Sequence, residues 1–395
     1  MSRRILLKKR GDNFIKRNSH YDYNLIAIIV LLMCFGLVML YSTSSYSAQV
    51  AYGNDMYYFA KQAVISVLSL GFAVGISFID YHRLWKLSFV LYISSIIMMI
   101  LVKTPLGYAS HGARRWLNLG PIRIQPAEFA KLAVIIFIPV LIIKIGKNFH
   151  GLKAPLIVIA AGGLSSLSAF IFTENLSTAI IIFAITCIIV FVAHPKTLPF
   201  ILALAGCILV FGIIVLVVNL TASTGGSFRL VRILTWLHPE TYQNSGGWQI
   251  IQGLYALGSG GFFGKGLGNS TQKLGFVPEA QNDMIFSIVC EELGVFGGLL
   301  LIVLFIYLMY RLFYISQNSK DLYGCLMASG IFAHIALQVI LNIAVVTNLI
   351  PTTGITLPFI SYGGTSIVFL MIEMGIALSV SRQMYPKRED LDVWG

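Results

Sequence analysis

The sequence predicts an all-α polytopic membrane protein of about ten transmembrane helices with one long extracytoplasmic loop. Three observations lead there. With 57% hydrophobic and only 11% charged residues among 395, and a mean hydropathy of +0.82, the chain has too little polar surface for a soluble globule. Apolar runs of roughly 20 residues, each enough to cross ~30 Å of hydrocarbon as a helix, recur from Leu25 to the neighbourhood of Val380. Between these runs no segment is long and polar enough to be a soluble domain.

In chain order the spans fall near residues 24–44, 58–78, 84–103, 128–144, 155–172, 176–193, 199–219, 284–310, 323–347 and 359–381. The first follows a basic tail and is itself of spanning length, so it reads as a retained helix, not a cleaved signal. Pro155 opens the fifth span, His194-Pro195-Lys196 closes the sixth, and Pro351 and Pro358 bracket the turn before the tenth. The organisation is a cytoplasmic basic tail over 1–23, a membrane domain over 24–381 and a cytoplasmic C-terminal tail over 382–395. With both termini cytoplasmic, 18 of the 28 Lys and Arg residues lie inside, the bias expected of a multi-pass membrane protein in that orientation.

The net charge of +12 is scattered over short loops, so it reads as membrane orientation and argues against nucleic acid as a partner. Cys34, Cys187, Cys207, Cys290 and Cys325 all sit in apolar runs without ligand spacing, which suggests neither a zinc site nor a disulfide frame. Two outer segments are long for a helical bundle, about 104–127 and about 220–283. They also hold most of the ten basic residues that orientation disfavours, Arg232 among them, and so they are where chemistry is sought.

Four constellations stand out. Gly112-Ala113-Arg114-Arg115-Trp116 runs through Gln125-Pro126-Ala127-Glu128-Phe129-Ala130-Lys131 into the fourth span. Pro126 suits a helix start, and Glu128 and Lys131 then share a face at i, i+3, either as a plain intramembrane ion pair or as cavity-lining groups. Arg114 and Arg115 read equally as headgroup anchors or as paired guanidiniums for a pyrophosphate. In the long loop, Gly246-Gly247-Trp248-Gln249, Gly258-Ser259-Gly260-Gly261 and Gly264-Lys265-Gly266-Leu267-Gly268 suggest a tight re-entrant backbone, not a dinucleotide fingerprint, since no βαβ unit surrounds them. Lys265 and Lys273 are either solvated or available to an anionic ligand.

The third constellation is Pro278-Glu279-Ala280-Gln281-Asn282-Asp283-Met284-Ile285-Phe286, leading to Glu291-Glu292-Leu293-Gly294. Asp283 stands at the mouth of the eighth span, as an N-cap or as a carboxylate offered to a lipid-borne substrate. Glu291 and Glu292, about two turns deeper, read as structural. The fourth is Ile350-Pro351-Thr352-Thr353-Gly354 with Leu357-Pro358-Phe359-Ile360-Ser361-Tyr362-Gly363-Gly364-Thr365-Ser366, whose backbone polar groups need a protein-lined or wet cavity at membrane depth.

Taken together and in this order, the four resemble the SEDS family (shape, elongation, division and sporulation) over nearly the whole chain, and their wording is closer to the division branch than to the elongation branch. The resemblance implies a peptidoglycan glycosyltransferase that joins lipid II units beside a class B penicillin-binding protein and other division proteins. It also implies that Asp283 is the essential carboxylate, that Glu128 and Lys131 are the family's paired charges, and that Arg114, Arg115 and Gln125 belong to its outer-loop motif. Two departures are Ala127, where serine is common, and Glu174-Asn175-Leu176-Ser177-Thr178, which replaces a Pro-Asp-Leu-Gly-Thr version.

The expected site therefore has Asp283 as catalytic base, with Arg114, Arg115, Gln125, Glu128, Lys131, Lys265, Lys273 and Ser361 around the substrate. A divalent ion, Mg or Mn, or the Arg and Lys groups would stabilise the leaving pyrophosphate. A flippase of the same lipid and a non-catalytic division scaffold are the rival readings, and neither has an evident need for the Asp283 carboxylate.

Overall fold

The computed structural model describes residues 21–384 apart from 111–112, 121, 147–148, 150, 152 and 221–227. Most of the N-terminal basic tail, the C-terminal tail beyond 384 and Gly112 of the outer motif lie outside the described residues, as does the side chain of Arg229. Ten helices match the ten expected spans: α1 (Tyr23–Tyr52), α2 (Tyr57–Ser77), α3 (Arg83–Leu101), α4 (Pro126–Ile145), α5 (Lys153–Phe172), α6 (Leu176–Ala193), α7 (Leu198–Leu220), α10 (Ile285–Gln317), α11 (Leu322–Val346) and α12 (Ser366–Ser381). Eight are long and apolar enough to cross a membrane. The other two, α4 and α12, are packed inside the bundle, α4 against α3, α6 and α11, and α12 against α2.

Three features differ from the sequence reading. Residues 107–124 form a small antiparallel sheet, β1 (Gly107–Ser110), β2 (Ala113–Leu119) and β3 (Ile122–Ile124), in spatial order β1-β2-β3. The long loop contains two helices, α8 (Phe228–Leu237) and α9 (Gly247–Ser259). The tenth helix begins at Ser366 instead of 359, because Pro358, Gly363 and Gly364 hold residues 358–365 in turns, with Phe359 in the left-handed region at φ 64°.

The re-entrant segment expected from the loop glycines is present after α9, and it docks into a break in α10. Gly294 has φ 70° and ψ −170°, which interrupts the helical ladder there. The freed groups are paired by the loop: Lys265 and Gly266 donate to the carbonyls of Glu291 and Glu292, while Val295 and Phe296 donate to those of Gly261 and Phe262. Only glycine fits this approach, since a Cβ on Gly264 would lie 2.1 Å from the Glu292 carbonyl oxygen.

Candidate active site

Alternating helix direction collects at one end of the bundle the C-terminal ends of α1, α3, α5, α7 and α11 and the N-terminal ends of α2, α4, α6, α10 and α12. A cavity of about 1110 Å³ opens there, lined by polar and aromatic side chains from the sheet, from α1, α2, α4, α6, α11 and α12, from the turn before α10 and from residues 354–368. Of the nine expected site residues it gathers five: Arg115, Gln125, Glu128, Lys131 and Asp283.

Glu128 and Lys131 pair at 2.8 Å across the first two turns of α4, with side chains 9% and 2% exposed. Pro126 fills the start of this helix, where its missing N–H is harmless. Glu128 lines the cavity, and its Oε2 is buried without a hydrogen bond among the described residues.

Asp283 is half-buried and precedes α10 by two residues. Met284, not Asp283, occupies the N-cap position of that helix. The turn that carries Asp283 is held from three sides. Asn342 donates to the Asp283 carbonyl at 2.8 Å and to that of Ile355 at 2.7 Å, Tyr362 N–H donates to the Gln281 carbonyl at 2.9 Å, and the Asn282 amide donates to Glu279. Gly354 takes φ 69°, and an added Cβ would stand 3.9 Å from Asp283 Oδ2, so the 350–357 loop passes directly over the carboxylate.

Cations border this carboxylate. Burial lowers the pKa of the half-buried Arg232 guanidinium on α8, and the Arg115 charge adds to the effect while the Asp283 charge opposes it. Burial likewise lowers that of Arg115 against the opposing charge of Glu174, and Arg115 Nε has no hydrogen-bond partner among the described residues. Glu174 itself, exposed at the rim, is held below the usual carboxylate range by its hydrogen bond from Lys103 at 2.5 Å, with the charges of Lys103, Arg115 and Arg114 behind it. Two half-buried guanidiniums beside one carboxylate suit a phosphate-bearing ligand.

Four expected residues sit elsewhere. Arg114 is exposed and does not line the cavity, because neighbouring residues of a strand such as β2 point to opposite faces and split the guanidinium pair. Lys265 and Lys273 pair with Glu291 at 2.6 Å and Glu292 at 2.8 Å, fastening the re-entrant segment to α10. Ser361 is buried, its hydroxyl accepting from Leu357 N–H at 2.8 Å to close a turn. Sequence reasoning missed the contributions of Arg232, Asn342 and the tyrosines Tyr52, Tyr57, Tyr58 and Tyr362. For Arg232 the signal was its place among the outer basic residues, and for Tyr362 its place in the Gly- and Pro-rich segment that needs a cavity; for Asn342, Tyr52, Tyr57 and Tyr58 no local pattern marks one. Among the described residues no group of three or more His, Cys, Asp or Glu side chains is gathered as a metal site.

Fold and site together define a polytopic membrane protein with a carboxylate and several cations in a cavity at one end of its bundle. A family profile described as the FtsW, RodA and SpoVE cell cycle protein matches residues 22–385, and the chain belongs to that family. Stage V sporulation protein E of Bacillus subtilis is 37% identical over 366 residues, covering 91% of this chain and 97% of that protein. The probable peptidoglycan glycosyltransferase FtsW of Trichlorobacter lovleyi is 36% identical over 366 residues, covering 92% and 94%. A chain from a solved structure described as the structural coordination of polymerization and crosslinking by a peptidoglycan synthase complex superposes with a TM-score of 0.75 at 25% identity, covering 93% of this chain and 99% of that one. The rod shape determining protein RodA of Thermus thermophilus gives 0.63, also at 25% identity and with the same coverage of both chains.

Proposed function

We propose that this chain is a peptidoglycan glycosyltransferase that polymerises lipid II at the outer face of a bacterial cytoplasmic membrane during cell division, with Asp283 as general base. The observation that carries the reading is that Asp283 shares one cavity with Arg115 and Lys131, and that Arg232 is near enough to interact electrostatically with Asp283 and Arg115. In the reaction a sugar hydroxyl attacks the anomeric carbon of the donor. The new C–O bond forms as the bond to the lipid pyrophosphate breaks, with inversion at that carbon. The hydroxyl proton passes to the Asp283 carboxylate, and the electron pair leaves on the pyrophosphate oxygen. Arg115, Arg232 and Lys131 oppose the charge that develops there. Lysine and arginine side chains supply the charge sink.

The relatives named above support the chemistry by their own names, and the solved complex, described as one of polymerization and crosslinking, supports a crosslinking partner, for which the family resemblance implies a class B penicillin-binding protein. Both termini then face the cytoplasm, in keeping with the excess of basic residues on that side. Purified protein, alone and with such a transpeptidase, should convert lipid II into glycan chains. Protein that moves lipid II between leaflets of a vesicle without lengthening it would replace this reading by a flippase.

A further inference from the structure

Four tyrosines form a continuous row along the cavity wall. Tyr52 and Tyr57 stack at 4.0 Å between ring centroids, Tyr58 meets both edge-to-face at 5.8 and 5.5 Å, and Tyr362 meets Tyr58 at 5.0 Å. All four line the cavity. The row ends at the catalytic turn, because Tyr362 N–H donates to Gln281, two residues before Asp283. Tyrosines near a membrane surface are commonly interfacial anchors facing lipid. These face the same polar cavity as Asp283, Arg115 and Glu128, and anchoring gives no reason for that.

We infer that the row is a saccharide track, which holds the sugar rings of the glycan strand next to Asp283 and lets the strand slide between additions. This rests on the glycosyltransferase reading. A pyranose presents axial C–H groups with a slight positive charge, and an aromatic face is negative, so flat rings bind sugars by stacking. Stacked and edge-to-face pairs leave outer ring faces available to a ligand. A polymerase must release and rebind its product by one disaccharide per cycle. Directional hydrogen bonds would fix one register, whereas apolar stacking has little directional preference and tolerates sliding. The half-buried pair Tyr58 and Tyr362, beside the reacting carboxylate, is the part of the track where the newest sugars rest.

The test is the length distribution of glycan chains made from lipid II by purified protein carrying changes at Tyr58 and Tyr362. Phenylalanine keeps the flat ring, leucine keeps apolar bulk without a π face, and alanine removes both. The Phe variants should give chains near wild-type length. The Leu and Ala variants should give chains several-fold shorter, with mean length falling more than the rate of lipid II consumption. Leu variants serve if an Ala variant does not fold. Leu variants that polymerise to wild-type length would overturn the track. A wild-type protein that makes no chains at all would overturn the glycosyltransferase reading itself, and the two failures are thus told apart.

Discussion

Glu128 and Lys131 show how far single residues can be read. Their i, i+3 spacing on a helix that starts at Pro126 predicts a pair, and the pair is there at 2.8 Å, almost wholly buried. Removing one partner leaves an uncompensated charge at membrane depth. Glu128→Gln and Lys131→Met should each strongly reduce polymerisation, and the double variant should lose less than the two losses combined, as a double-mutant cycle would measure. Full additivity would mean that the charges act separately. Arg115 and Gln125 were legible in the same motif, but the separation of Arg114 from Arg115 was not, because it depends on a strand where the sequence suggests a loop. Arg232 reaches the site from α8 and Asn342 from deep in α11, both through tertiary packing; the outer location of Arg232 is visible in the sequence, and no local pattern announces Asn342.

Elements were legible where period and length decide them, as with the ten long helices, and illegible where tertiary hydrogen bonds decide them. The three short strands of the outer sheet lack the length to show alternation, and the start of α12 is set by what residues 358–365 bond to. The re-entrant segment lies between these cases. Its glycines are plain in the sequence, yet its lysines are fasteners. Lys273 donates to Glu292 at 2.8 Å, to Ser42 on α1 at 3.0 Å and to the Gly268 carbonyl at 2.7 Å, with the Ser42 hydroxyl 2.7 Å from each Glu292 oxygen. Lys273→Met should therefore destabilise the fold by about 3–5 kcal/mol, the usual penalty of breaking a buried pair from one side. Adding Glu292→Gln should restore part of that, as thermal unfolding in detergent would show. An exposed, replaceable Lys273 would leave the melting temperature unmoved.

The whole molecule is a bundle of alternating helices, and α1, α2, α4, α6, α11 and α12 bring residues to one cavity at one end of it, so its topology and its site stand or fall together. In the proposed orientation, with both termini inside, a cysteine replacing the exposed Asn244 should react with an impermeant thiol reagent in wall-stripped cells, and one replacing the exposed Lys320 should not. The reverse pattern would place Asp283 at the cytoplasmic face, away from the glycan it is proposed to build. The carboxylate itself is tested by Asp283→Asn, which preserves shape and removes the ability to accept a proton at neutral pH. With Met284 at the N-cap of α10, capping does not demand this side chain, and folding and partner binding should survive the change. Given lipid II, the folded Asp283→Asn protein should polymerise on the order of 10²–10⁴-fold more slowly than wild type. Glycan chains made at near wild-type rate by that protein would contradict the assignment of Asp283 as general base.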